Sequence, residues 1–70
     1  MSALQSLAWQ DTCVEGLTQW VETQTPSGDW LRVKKRVLGG YLITRFGSDK
    51  RLKKPEAEMS AAEAEAELRT

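Results

Sequence analysis

Two glycine-bearing turn signals flank the stretch Trp30–Val37, and they constrain this chain more than any other feature. The first is Thr25-Pro26-Ser27-Gly28-Asp29. Proline suits the early position of a tight turn, and glycine suits the left-handed position that closes a three-residue hairpin loop. Counting outward from Thr25 facing Asp29 sets Glu22 opposite Arg32, Val21 opposite Val33 and Trp20 opposite Lys34. These pairs agree by charge, by packing and by cation–π contact. The second signal is Leu38-Gly39-Gly40-Tyr41. A Gly-Gly pair between apolar runs fits a two-residue primed turn. That turn sets Val37 against Leu42, Arg36 against Ile43, Lys35 against Thr44, Lys34 against Arg45 and Val33 against Phe46.

Side chains alternate across a strand, so two faces follow from this register. Val21, Leu31, Val33, Val37, Leu42 and Phe46 form an expected core face, with Lys35 as its one charged intruder. Trp20, Trp30, Arg32, Lys34, Arg36, Leu38, Tyr41, Ile43 and Arg45 form the other. Before the hairpins, Ser2 to Glu15 has a capping-box pattern (Ser2, Gln5). It places Leu4, Leu7, Ala8 and Val14 near one stripe, with Gly16 as a stop, which predicts an N-terminal helix. A competing reading carries that helix on to Gln24. The expected fold is α+β: an N-terminal helix on a three-stranded antiparallel meander, then an acidic Ala/Glu-rich helix or disordered tail. The expected divisions are a domain over residues 1–47, a basic linker over 48–55 and the acidic tail over 56–70. Pro55 separates linker from tail, and Ser60-Ala61-Ala62-Glu63 is a second capping-box match.

Charge is segregated along this plan. The chain has 70 residues, with ten Lys and Arg against ten Asp and Glu, for a net charge of zero. Residues 1–29 carry −4, residues 30–54 carry +8 and residues 55–70 carry −4. A chain of this length buries only about 60% of its unfolded surface, so its stability is small unless a partner adds to it.

Composition narrows the function. The chain has no His, which removes the commonest general base and a leading metal ligand. Its single cysteine, Cys13, rules out an internal disulfide and any multi-cysteine metal site. Cys13 has no His partner anywhere in the chain, so a structural cysteine is expected rather than a nucleophile. No signal-peptide pattern and no membrane-length apolar run is present, and a cytoplasmic location is expected. No enzymatic activity, cofactor, metal or small-molecule substrate is expected.

Two function classes remain. In the first, the chain is a small interaction or accessory protein that binds a protein partner or its own copy through the face bearing Trp20, Trp30, Tyr41 and Ile43. In the second, it is a DNA- or RNA-binding module. Arg32, Lys34, Arg36 and Arg45 would contact phosphate beside stacking aromatics, and Lys50, Arg51, Lys53 and Lys54 would extend that surface. The acidic tail could then fold back and compete with a polyanion by virtue of its tether.

Overall fold

The computed structural model describes residues 3–70. It is a five-stranded antiparallel sheet in sequential order: β1 (Gln10–Asp11), β2 (Leu17–Gln24), β3 (Trp30–Arg36), β4 (Tyr41–Phe46) and β5 (Leu52–Met59). One short helix follows, α1 (Ala61–Leu68).

This corrects the expected N-terminal helix on a three-stranded meander. Residues 3–6 form turns, and Gln10–Asp11 form an edge strand against β2. The proposed cap, Ser2, lies outside the described residues. Val14, expected on the apolar stripe, is exposed in the β1–β2 loop, as is Cys13 beside it. A helix over this stretch would have carried Asp11 on its buried stripe, which is a physical reason against it. The segment expected as a basic linker forms a hairpin loop and the first half of β5. The expected acidic tail supplies the rest of β5 and then α1. Pro55 is tolerated in β5 because β5 is an edge strand.

Three of the four hairpins, β2–β3, β3–β4 and β4–β5, share one geometry. In each, two backbone hydrogen bonds close a three-residue loop: Thr25 N to Asp29 O and Gly28 N to Thr25 O, Arg36 N to Gly40 O and Gly39 N to Arg36 O, Gly47 N to Arg51 O and Lys50 N to Gly47 O. The third loop residue has positive φ each time: Gly28 (+93°), Gly39 (+100°) and Lys50 (+69°). The β2–β3 register is the one counted from the Pro-Ser-Gly loop: Glu22 opposite Arg32, Val21 opposite Val33, Trp20 opposite Lys34.

The β3–β4 register differs from the two-residue turn. The loop is Val37-Leu38-Gly39, so Val33 pairs with Ile43, not Phe46, and Lys34 pairs with Leu42, not Arg45. The shift is three residues. An odd shift sends every β4 side chain to the opposite face. Tyr41, Ile43 and Arg45 therefore join Val21, Leu31, Val33 and Lys35, while Leu42 and Phe46 join the other face.

The core lies on that first face. Leu31 and Val33 are fully buried, and Val21 and Ile43 flank them. Two segments cover them. Ala64 and Leu68 of α1 supply one cover, and Leu4, with Leu7 and Trp9 beside it, supplies the other. Glu65 joins the two covers by accepting hydrogen bonds from the backbone N–H groups of Ala3 and Leu4. Trp9 Nε1 donates to Leu4 O at 2.7 Å. The capping box of α1 is complete: Ser60 Oγ accepts from Glu63 N, and the Glu63 carboxylate accepts from Ser60 N. These backbone and hydroxyl donors hold the Glu63 carboxyl below its ordinary pKa. Lys35, the charged intruder, is accommodated at the rim of the core. Its Nζ lies 4.5 Å from the Trp9 ring centre and donates to Gln19 Oε1 at 3.2 Å.

Candidate binding surface

The helix and the N-terminal segment cover one face of the sheet. Along β2, β3 and β4 the opposite face presents Trp20, Glu22, Trp30, Arg32, Lys34, Arg36, Leu42, Thr44 and Phe46. Trp20, Trp30, Leu42 and Phe46 are only half-buried there. Of the eight expected binding-face residues, this open face holds five: Trp20, Trp30, Arg32, Lys34 and Arg36. Tyr41, Ile43 and Arg45 sit on the covered face, Ile43 and Arg45 being buried. The register shift is the reason.

Carboxylates cross the open face and meet its cations. Arg32 Nη2 lies 3.2 Å from Glu22 Oε2 on β2. Lys34 Nζ reaches over β4 to Glu56 Oε1 at 2.9 Å, and Arg36 Nη1 reaches Glu58 Oε1 at 2.8 Å. Three cations are thus matched by three carboxylates in a belt across the sheet. The expected pairing of Lys34 with Arg45 does not arise, because they point to opposite faces.

Two aromatic rings at one end of the belt are capped by cations. Lys50 Nζ stands 3.7 Å from the Trp30 ring centre, and the Arg32 guanidinium lies 5.2 Å from that of Phe46. The positive φ of Lys50 carries its backbone round the turn that aims this side chain back at β3. Leu52, 60% exposed, pairs with Phe46 from β5.

The remaining basic cluster is dispersed. Arg51 is exposed beside Asp49, Lys53 pairs with Asp29 at 3.0 Å and Lys54 with Glu67 at 3.4 Å. The last two belong to a network centred on Arg45, which is 6% exposed. Arg45 Nη1 donates to Asp29 Oδ2 at 2.8 Å and Nε to Glu67 Oε1 at 2.9 Å. Its Nη2 donates to Glu67 O and Thr70 Oγ1, each at 2.9 Å. Burial disfavours the Arg45 charge, but Asp29 and Glu67 outweigh it and raise its pKa. Hydrogen bonds from Arg45 and then Lys53 hold Asp29 below its ordinary value. Burial raises Glu67, yet Arg45 and Lys54 prevail and lower it. Arg45 thereby ties the β2–β3 loop to the C-terminal end of α1.

Sequence counting missed Leu42 and Phe46 as open-face residues, and Glu56 and Glu58 as their neighbours. Gly39-Gly40 is equally compatible with a three-residue loop, Val37-Leu38-Gly39, and counting from that loop returns the observed register, but nothing local in the sequence selects it. The acidic residues of β5 gave no strand signal, since Glu, Lys and Pro are all depleted in strands.

Among the described residues no group of three or more Cys, Asp or Glu is arranged to hold a metal ion, and no helix is long and apolar enough to cross a membrane. No protein-family model, curated protein or solved structure matches this chain.

Proposed function

We propose that this chain is a non-enzymatic interaction module whose open sheet face docks on a protein partner. One observation carries the reading: half-buried Trp20, Trp30, Leu42 and Phe46 share an uncovered face with Arg32, Lys34 and Arg36, which carboxylates of the same chain already neutralise. Aromatic and Arg side chains are the types enriched at protein interfaces, where they anchor the contact. Neutralised cations favour a partner of mixed charge over a polyanion. A phosphate backbone would have to displace Glu22, Glu56 and Glu58, whose own charges repel it.

The second reading, a nucleic-acid module, draws on Lys50 over Trp30 and Arg32 over Phe46. Those stacks set cations beside ring faces, as base stacking with phosphate contact needs. The carboxylate belt weighs against it.

Affinity capture with the full chain, compared with Trp30→Ala and Leu42→Glu, tests the proposal, with circular dichroism checking the fold of each variant. A partner retained by the parent chain and lost by both folded variants supports it. A partner retained equally by all three overturns it, and so does capture of nucleic acid alone.

A further inference from the structure

The end of the sheet away from the Trp30–Phe46 pair carries a second surface. Three large apolar side chains in the two loops at that end are strongly exposed: Val14 (60%), Val37 (58%) and Leu38 (92%). They come from two loops, β1–β2 and β3–β4, which are fastened together by a hydrogen bond from Val37 N to Gly16 O at 3.0 Å. Leu38 borders a hollow of about 240 Å³ whose walls include Glu15, Leu17, Arg36 and Leu42. For scale, an apolar cavity of about 150 Å³ accepts a benzene molecule.

Opposite charges sit at this hollow with capacity to spare. Glu15 is exposed and has no hydrogen bond or ion pair among the described residues. Arg36 commits Nη1 to Glu58. A guanidinium has five donors, so it can take a second carboxylate.

We propose that this loop end is a self-association site, whose occupant is a second copy of the chain. A protruding leucine and a hollow that could receive it lie side by side on one surface. So do an unpaired carboxylate and an arginine. A two-fold axis through such a patch puts each copy's Leu38 in the other's hollow and each Glu15 against the other's Arg36. This is the reciprocal contact of an isologous dimer. The patch is small and its ion pairs are exposed, so the association is weak, reversible and sensitive to salt. It shares Arg36 and Leu42 with the open face, leaves the Trp30–Phe46 end free and does not rest on the reading of that face.

Sedimentation equilibrium of the full chain over the micromolar-to-millimolar range reads the dimer directly. Leu38→Ser removes two apolar contacts per dimer at a position that contributes little to the fold. If each leucine is worth about tenfold, the dimer weakens about a hundredfold. Trp30→Ala should leave the association unchanged. Glu15→Lys and Arg36→Glu each place like charges across the axis and weaken the homodimer. Mixed together, these two variants are complementary at both contacts and should form a heterodimer tighter than either homodimer. A chain that stays monomeric throughout the range overturns the proposal. So does a dimer indifferent to Leu38→Ser, or a mixture that associates no better than its components.

Discussion

The two faces of this sheet use the same chemistry to opposite ends. On the covered face, Arg45 is enclosed and donates to two carboxylates, a main-chain carbonyl and a hydroxyl. On the open face, Arg32 makes one ion pair to Glu22 with its side chain 44% exposed. Both are arginines on adjacent antiparallel strands. Enclosure turns the first into a clasp that holds α1 over the core. Solvent leaves the second adjustable, able to exchange its carboxylate for a partner's group at little cost. A salt bridge here is structural where water is excluded and provisional where it is not.

Removing the clasp should give the largest effect. Arg45→Ala leaves Asp29 and Glu67 without their enclosed partner and should cost about 3 kcal/mol in denaturant unfolding. If its cost equals that of Arg32→Ala, the contrast between the faces fails. Truncating the helix contact comes next: Leu68→Ala should cost about 2 kcal/mol, and loss of α1 signal by circular dichroism before the sheet melts would show the helix undocking first.

Acidification acts on the clasp. Asp29 and Glu67 have folded-state pKa values below their unfolded ones, so the stability they supply is complete above the unfolded values. It is lost as pH falls through the lower folded values. Unfolding free energy should therefore drop below about pH 4, and Glu67→Gln should flatten that limb. An unchanged acid limb in Glu67→Gln would remove the clasp as its source.

Smaller effects belong to the open side. Lys50→Gly relieves a left-handed residue by about 1 kcal/mol. It also gives up an exposed cation–π contact with Trp30 worth about 0.5 kcal/mol, so a slight net gain in melting temperature is expected. Arg32→Ala should change stability by no more than about 0.5 kcal/mol, and a loss several times larger would mean that the open-face belt is structural after all.

How much of this was legible in the sequence depends on where the information lies. Pro26 and Gly28 specify one loop length, so the β2–β3 register could be counted. Gly39-Gly40 allows two, because either a two-residue turn or a three-residue loop places a glycine at positive φ. Local chemistry does not choose between them. The choice is made by tertiary contacts, which bury Ile43 between Val33 and Ala57 and bring Arg45 to Asp29 and Glu67. The N-terminal pattern misled because Leu4 and Leu7 cover the sheet without a helix. The Ser60–Glu63 capping box was legible because a cap is local. The role of α1 as the core's cover was not, since Ala64 and Leu68 form too sparse a stripe to announce burial.

We propose that the open face, whose Arg32, Lys34 and Arg36 are neutralised by carboxylates of the same chain, docks a protein rather than a polyanion. Titrating the isotopically labelled full chain with a generic single-stranded oligonucleotide at low salt, and following backbone amide shifts, tests it most directly. Amides of Trp30–Arg36 and Lys50–Lys54 are expected to stay in place. Saturable shifts along β3 and the β4–β5 loop that vanish steeply with added salt would contradict it.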